Sequence, residues 1–202
     1  MVKVSFQWCA FAAERSQWLE KSNSLESSKF LREMDYKLEI CVDNLKSAAS
    51  AVAGGADRLE VCQALDLGGL TPSPAFVGMV KRNFSIPVHM LIRPRAGNFE
   101  YTDDEVHLMK MDMEFGLHQK VDGFVFGALK SNNQIDRLVC HELMTAACGK
   151  PVTFIKHPTR QCIGSKITIM PGSGVNHYNI QEIAELTGAE EFQSSGQDPT
   201  PS

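Results

Sequence analysis

Short strand-like runs alternate with helix-like segments along most of this chain, and this alternation restricts its possible folds more than any other feature. The strand-like runs are LEICV (38–42), RLEVC (58–62), PVHMLI (87–92), VDGFVF (121–126), PVTF (151–154), KITIM (166–170) and EFQSS (191–195). Predicted helices span about 44–53, begin near 74 and 103, and span about 135–147 and 179–186. Parallel strands need crossover connections, which a helix usually fills. The sequence therefore predicts an α/β fold with a parallel sheet, either a barrel or an open doubly wound sheet.

Residue parity within the strands favours the barrel. Successive side chains of a strand point to opposite faces, so Glu39, Cys41 and Asp43 share one face of the first strand and its apolar residues share the other. The second strand repeats this pattern with Glu60 and Cys62. A chemically active interior surrounded by apolar, helix-facing residues is typical of a TIM-type (β/α) barrel, which has its functional site at the C-terminal ends of its strands.

Composition and charge exclude several classes of function. The 202 residues are 43% hydrophobic and 22% charged, with a formal net charge of -4, which is typical of one globular domain. Basic residues are scattered among acidic ones, so we expect no nucleic-acid binding. No apolar run reaches the roughly 18 residues that span a bilayer, so we expect no membrane segment. The six cysteines form no C-x-x-C pair, which favours reduced thiols in a cytoplasmic protein, with the nucleus as the alternative compartment.

The chain divides into an N-terminal extension and one organised domain. Residues 1–37 show no sustained hydrophobic period and contain a Ser/Glu/Lys-rich patch at 20–28. We therefore expect a loosely packed helix or a partly disordered lead-in there. The strand and helix pattern begins at Leu38, and residues 38–202 form the predicted barrel domain.

Cys41 and Cys62 end the first two strands on the same parity. If these strands pair directly, the two residues should lie about one inter-strand spacing apart, roughly 5 Å. Two soft thiolates at that separation can hold a soft, low-coordinate ion such as Cu(I). The alternative is that both are ordinary buried cysteines that fill space, because free cysteine is among the most buried residue types.

Charged residues near the same strand ends form a second set of candidates. Glu39 and Glu60 need cationic or hydrogen-bonding partners inside a barrel, which Arg58, Arg93 and Arg95 could supply. One interpretation is a structural ion-pair network. The other is a general acid/base or anion site, for which the two arginines at the end of the third strand are the better candidates.

The turn MPGSGV (170–175) follows a late strand and precedes a predicted helix. Backbone N–H groups from Gly172 to Gly174 could bind a phosphate or another anion there, although glycines also serve tight turns alone. The six histidines show no regular spacing relative to one another or to carboxylates, so we interpret each as a surface or ordinary core residue.

Seven segments resemble motifs of the copper homeostasis protein CutC family, in the same order along the chain. They are LEICVD (38–43), GGADRLEVC (54–62), GGLTPS (68–73), MLIRPRAGNFEYTDDE (90–105), DGFVFGAL (122–129), PVTF (151–154) and MPGSG (170–174). The resemblance covers about 38–195 and implies a TIM-type barrel associated with copper tolerance and Cu(I) binding. The cysteine pair of the family falls on Cys41 and Cys62 here.

The chain departs from that family in its length. A (β/α)₈ barrel takes roughly 250 residues, whereas residues 38–202 supply 165. We expect an incomplete barrel of about seven strands at most, without a mid-barrel segment after PVTF and without a C-terminal helix. The altered stretch HPTRQCIGSK (157–166) contains Cys162, and the pattern resembles a splice variant or shortened gene product.

Three functions remain open on the sequence. The first is a copper homeostasis protein that binds Cu(I) through Cys41 and Cys62, with Glu39, Asp43, Glu60 and Arg93 around them. The second is an enzyme acting on a small anionic or phosphorylated metabolite held by Arg93, Arg95 and the turn at 172–174. The third is a non-functional or regulatory short isoform that associates with full-length copies or forms a homo-oligomer. No reaction can be assigned.

Overall fold

The computed structural model describes residues 37–155 in full and, beyond them, the backbone of two further strands. The seven strands are β1 (Lys37–Val42), β2 (Arg58–Val61), β3 (Val88–Leu91), β4 (Gly123–Phe126), β5 (Val152–Phe154), β6 (Ile167–Thr168) and β7 (Glu191–Ser194). The four helices of the described residues are α1 (Leu45–Ala53), α2 (Pro74–Asn83), α3 (Asp103–His118) and α4 (Arg137–Ala146). A short 3-10 helix, Leu65–Leu67, follows β2.

The strands form one parallel sheet with the order β6-β5-β4-β3-β2-β1-β7. Neighbours in the sequence are neighbours in the sheet, and β7 adds to the free side of β1, as expected for a barrel rather than an open doubly wound sheet. Among the strands that the structure describes, β6 and β7 do not pair with each other. The fold is therefore an incomplete TIM-type barrel, as the sequence predicts.

Local sequence signals begin the helices where they are observed. Asn44 caps α1 in a capping box with Ser47, and Thr102 caps α3 in a second box with Glu105. Each box satisfies backbone N–H groups that the first helical turn leaves without partners. Ser73 caps α2, with proline at the first helical position, where its missing N–H costs nothing.

Two separate sets of apolar contacts hold the described domain together. The larger lies between the sheet and its helices and includes Val42, Leu59 and Phe124, all fully buried. The smaller lies on the opposite face of the strands and consists of Cys62, Leu91 and Val125, with Cys41, Leu65 and Ile155 packed against it. The predicted parity is therefore confirmed, because both cysteines face away from the helices.

Several sequence predictions fall outside the described residues. These are the structure of residues 1–36, the glycine turn at 170–175, the helix at 179–186 and the surroundings of Cys9 and Cys162. The boundary at the start of the domain shifts by one residue, because Lys37 already belongs to β1. None of the helices that the structure describes is long and apolar enough to cross a bilayer.

Candidate functional site

A layer of buried polar side chains lies on the interior face of β1, β2 and β3. Glu39 is only 1% exposed, and its carboxylate forms an ion pair with the guanidinium of Arg58 on the neighbouring strand. A carboxylate at such depth is tolerated when it is paired and hydrogen-bonded. The sequence offers Arg58, Arg93 and Arg95 as partners, and in the structure Arg58 pairs with Glu39. This contact agrees with the interpretation of a structural ion pair.

His89 belongs to the same layer. Its Nδ1 lies 3.5 Å from Oε2 of Glu39, and a Cβ at position 123 would overlap its ring, so the absence of a side chain at Gly123 makes room for the imidazole. Burial, reinforced by the positive charge of Arg58, lowers the pKa of His89 to about 3. The ring is therefore neutral near pH 7, and its contact with Glu39 is not an ion pair at that pH.

The strand register corrects the predicted spacing of the two cysteines. β1 and β2 do pair directly, but Cys41 lies opposite Glu60, and the backbone N–H of Cys62 donates to Val42 O at 3.0 Å. Cys62 is thus two residues further along its strand than the partner of Cys41. With strands about 4.8 Å apart and a rise of about 3.3 Å per residue, this diagonal separation is about 8 Å between Cα atoms rather than 5 Å.

Both cysteines are free thiols with different surroundings. Cys62 is fully buried, and its Sγ lies 3.6 Å from Val42 O, to which the thiol donates. Cys41 is intermediate in exposure. Burial raises the pKa of both thiols well above the usual range, and Glu60 adds to the rise in each case. Both side chains are therefore protonated near neutral pH in the metal-free protein.

The two thiols belong to one cluster, since Cys41 packs against the residues that surround Cys62. Cys62 contributes to the raised pKa of Cys41, and Glu39 does so as well. Asp43, which is exposed and accepts a hydrogen bond from Asn44 Nδ2 at 2.7 Å, contributes to the raised pKa of Cys62. Glu39, Asp43 and Glu60 thus each act electrostatically on at least one of the two thiols, and their part in a metal site stays a prediction.

Arg93 lies on the same face of the sheet but is engaged elsewhere. Its Nη1 donates to Leu67 O, Gly68 O and Gly69 O at 3.0–3.2 Å, and its Nη2 donates to Gly97 O at 2.9 Å. Residues 37–155 contain no ion pair between Arg93 and a carboxylate. Its role there is to hold backbone carbonyls.

Arg95 is likewise engaged in internal contacts. Its guanidinium pairs with Glu105 at 2.5 Å and donates to Glu100 O at 2.6 Å. It also lies over the ring of Tyr101. Both arginines therefore have internal partners in the described structure, and their role in anion binding stays a prediction. The other anion-binding candidates, Gly172 and Gly174, lie outside the described residues.

No group of three or more His, Cys, Asp or Glu side chains with metal-binding geometry occurs in the part of the chain that the structure describes. A metal with many oxygen or nitrogen ligands, such as Ca²⁺ or a tetrahedral Zn²⁺, therefore has no complete ligand set there. A site formed by two thiols alone suits a soft ion of low coordination number.

Two features of this region go beyond the sequence interpretation. The parity of the third strand puts His89 on one face with Leu91 and Arg93, but the contact of its ring with Glu39 is visible only in the structure. The loop that covers Cys62 has no comparable signal, because its contacts with Arg93 involve backbone carbonyl groups rather than side chains.

Comparison with known proteins identifies the family of the chain. A family model described as the CutC family matches residues 36–159, which contain both cysteines and the whole polar layer. The chain belongs to the CutC family. A relative from Homo sapiens named copper homeostasis protein cutC homolog is 36% identical over 200 residues, covering 79% of this chain and 73% of the relative. A Caenorhabditis elegans protein of the same name is 37% identical, covering 79% of this chain and 80% of its own.

A solved structure shows the same relationship. The putative copper homeostasis protein CutC from Streptococcus agalactiae matches with a TM-score of 0.70 and 26% identity, covering 79% of this chain and 98% of that one. A putative phosphonomutase from Burkholderia cenocepacia, at a TM-score of 0.51 and 11% identity, shares the fold alone.

The alignments also show that internal positions of the relatives' sequences have no counterpart in this CutC-family chain. The human alignment runs over 200 positions but includes 79% of the 202 residues here, which is about 160 residues. About 40 aligned positions therefore have no residue in this chain. An alignment with a Photobacterium profundum CutC protein, over 209 positions and 84% of this chain, gives about the same difference. Both agree with the predicted absence of a mid-barrel segment.

Proposed function

We propose that this chain is a copper homeostasis protein that binds Cu(I) between the thiolates of Cys41 and Cys62. Relatives in human, nematode and Streptococcus are named for copper homeostasis. The observation that carries the proposal is that two free thiols are diagonal neighbours on the interior face of adjacent strands, within one buried cluster. Soft sulfur ligands select Cu(I) over the hard cations that carboxylates prefer.

The separation of the two cysteines fits an ion better than a disulfide. A disulfide needs Cα atoms about 4.4–6.8 Å apart, which is shorter than the diagonal of about 8 Å. Two metal–thiolate bonds of about 2.3 Å each, the length of a Zn–S bond, hold sulfur atoms up to about 4.6 Å apart. The diagonal therefore leaves room for one ion between the two side chains.

Proton release accompanies this binding. Because the pKa of each thiol is raised by burial and by Glu60, both thiols carry protons near pH 7 and must lose them when they become ligands. Protons therefore compete with copper throughout the neutral range, and the affinity for Cu(I) rises as pH rises from 6.5 to 8.

An anaerobic Cu(I) titration against a strong competing chelator tests the proposal. We expect Cys41→Ser and Cys62→Ser each to weaken binding by at least about 100-fold, or about 2.7 kcal/mol. Cys148→Ser is the matched control, since it removes a free thiol that is exposed and distant in sequence from the pair. Undiminished affinity in a folded Cys41→Ser/Cys62→Ser double variant would contradict the proposal.

The other two hypotheses from the sequence remain predictions. An enzyme acting on an anionic metabolite would need Arg93 or Arg95 to exchange its present carbonyl and carboxylate partners for the substrate. Binding of a phosphorylated compound without metal would favour it. A regulatory short isoform would associate with full-length copies, which a co-purification experiment can detect.

A further inference from the structure

An eight-residue loop at 63–70, called the cap below, covers the buried thiol. Its ends bond to each other in both directions, with Gln63 N donating to Leu70 O at 3.0 Å and Leu70 N donating to Gln63 O at 2.7 Å. The 3-10 helix Leu65–Leu67 forms its middle. The cap is therefore a closed local unit that follows directly from the end of β2.

The underside of the cap touches Cys62. Leu65 packs against the cluster that contains this cysteine, and a Cβ at position 69 would lie 3.8 Å from Cys62 Sγ and 2.8 Å from Leu91 Cδ2. Leu67 faces the other way and is 53% exposed. Solvent therefore reaches the outer side of the cap but not Cys62, which is 0% exposed.

The side chain of Arg93 binds the cap through hydrogen bonds to its backbone carbonyls. Among the hydrogen bonds of the described residues, its Nη1 donates only to the three consecutive carbonyls of Leu67, Gly68 and Gly69. Its backbone is tied to the residue just beyond the cap, since Arg93 N donates to Thr71 Oγ1 at 2.8 Å and Thr71 N donates to Arg93 O at 2.9 Å. The side chain and the backbone of Arg93 thus fix the cap to the end of β3.

The backbone of the cap contains one disfavoured conformation. Gly68 and Gly69 both have φ of 82°, which glycine adopts at little steric cost. Ala64 has φ of 51°, which residues with a side chain rarely adopt and which persists when the surrounding contacts over-determine it. Gly69 N donates to Ala64 O at 3.1 Å, and Arg93 holds the carbonyl of Gly69, so loss of the bonds from Arg93 should favour opening of the cap.

We propose that Arg93 is a positioning residue that keeps the cap closed over Cys62, so that an incoming soft metal ion binds Cys41 first and Cys62 only when the cap opens. Cys41, in contrast to Cys62, retains part of its surface in solvent. The order of metal binding rests on the proposed function, whereas the closure of the cap by Arg93 does not.

Thiol labelling of the metal-free full chain tests the closure. The protein is exposed to excess iodoacetamide under native, reducing conditions, and the modification of each cysteine is followed by mass spectrometry. In Arg93→Lys, which keeps the charge but loses the fork of donors, we expect Cys62 to react at least about tenfold faster, as local opening becomes more frequent. Cys140, on the buried side of α4, should keep its rate.

Two further variants make the result decisive. Arg95→Lys is the matched control, because this neighbouring arginine binds Glu105 and the carbonyl of Glu100 rather than the cap, and it should leave the Cys62 rate unchanged. Gly69→Ala disturbs the cap from the other side through its contact with Leu91 and its positive φ, and it should accelerate Cys62 even if Arg93→Lys folds poorly.

The outcomes separate the closure of the cap from copper binding. An unchanged Cys62 rate in both Arg93→Lys and Gly69→Ala, or an equal acceleration of Cys62 and Cys140, would overturn the proposal, because the second result reports global unfolding. If the Cu(I) titration fails but labelling of Cys62 is selectively accelerated in the variants, the copper site is rejected and the closure of the cap is supported. If copper binds tightly but Cys62 is labelled rapidly in the chain without substitutions, the closure is rejected and the copper site is supported.

Discussion

The imidazole of His89 is the buried base of the interior layer. It lies between the Glu39 carboxylate and the backbone of Gly123, where burial lowers its pKa to about 3. In the unfolded chain the same side chain titrates near its ordinary value of about 6.5. Protonation therefore favours the unfolded state at every pH between these two values.

Acid should destabilise the domain through this residue. Below about pH 6.5 the unfolded state binds a proton that the folded state does not, so the free energy of unfolding falls as pH falls. At pH 5 the loss attributable to His89 is about 2 kcal/mol. Urea unfolding at pH 7 and at pH 5 measures it, with His89→Gln as the control that cannot titrate. Equal pH dependence in the two proteins would contradict the assignment.

The two cysteines illustrate what residue identity alone can and cannot establish. Their presence on the interior face follows from parity in LEICV and RLEVC, which is fixed by the period of two in a strand. Their mutual offset does not follow, because it depends on which residues of β1 and β2 are hydrogen-bonded neighbours. A shift of this kind changes the partner of Cys41 from Cys62 to Glu60 without changing any pattern in the sequence.

At the scale of elements, the strands and helices of the described residues were predicted within a few residues. The start of α3 follows from Thr102 and Glu105, a capping box that the sequence displays directly. Strand ends were less predictable, as β3 stops at Leu91 although the apolar run continues to Ile92. Pairing with neighbours, rather than hydrophobicity, decides where a ladder ends.

The cap and its arginine could not be predicted at this scale. The sequence marks Gly68-Gly69 as a loop and Arg93 as a cation at a strand end. Their contact joins residues about 25 positions apart through backbone carbonyls, which carry no sequence signature. The sequence therefore suggests an anion site at Arg93, which stays a prediction, whereas the hydrogen bonds of Arg93 to three carbonyls are visible only in the folded chain.

At the scale of the whole molecule, the barrel is incomplete. In the sheet of the described residues, β6 lies at one end and β7 at the other, and these two strands do not pair with each other. The alignments leave about 40 positions of the human relative without a counterpart here. Unpaired edges of a parallel sheet expose backbone N–H and C=O groups, which reduces stability and promotes association.

Restoring the absent segment should stabilise the chain. Insertion of the corresponding stretch of about 40 residues from the human relative, between residues 155 and 166, adds one strand to a sheet whose end strands, β6 and β7, do not pair with each other. We expect the thermal midpoint to rise by at least about 4 °C, the shift that 1–2 kcal/mol produces in a protein of this size. A Gly/Ser insert of equal length is the control. Equal midpoints for the two inserts would contradict a missing strand.

X-ray absorption at the copper edge tests the copper site most directly, using protein loaded anaerobically with one equivalent of Cu(I). We predict a first coordination shell of two sulfur atoms, which disappears when Cys41→Ser and Cys62→Ser are combined in a folded chain. A shell of nitrogen or oxygen atoms, or a sulfur shell that persists in that double variant, would contradict the two-thiolate site and assign the copper to other residues.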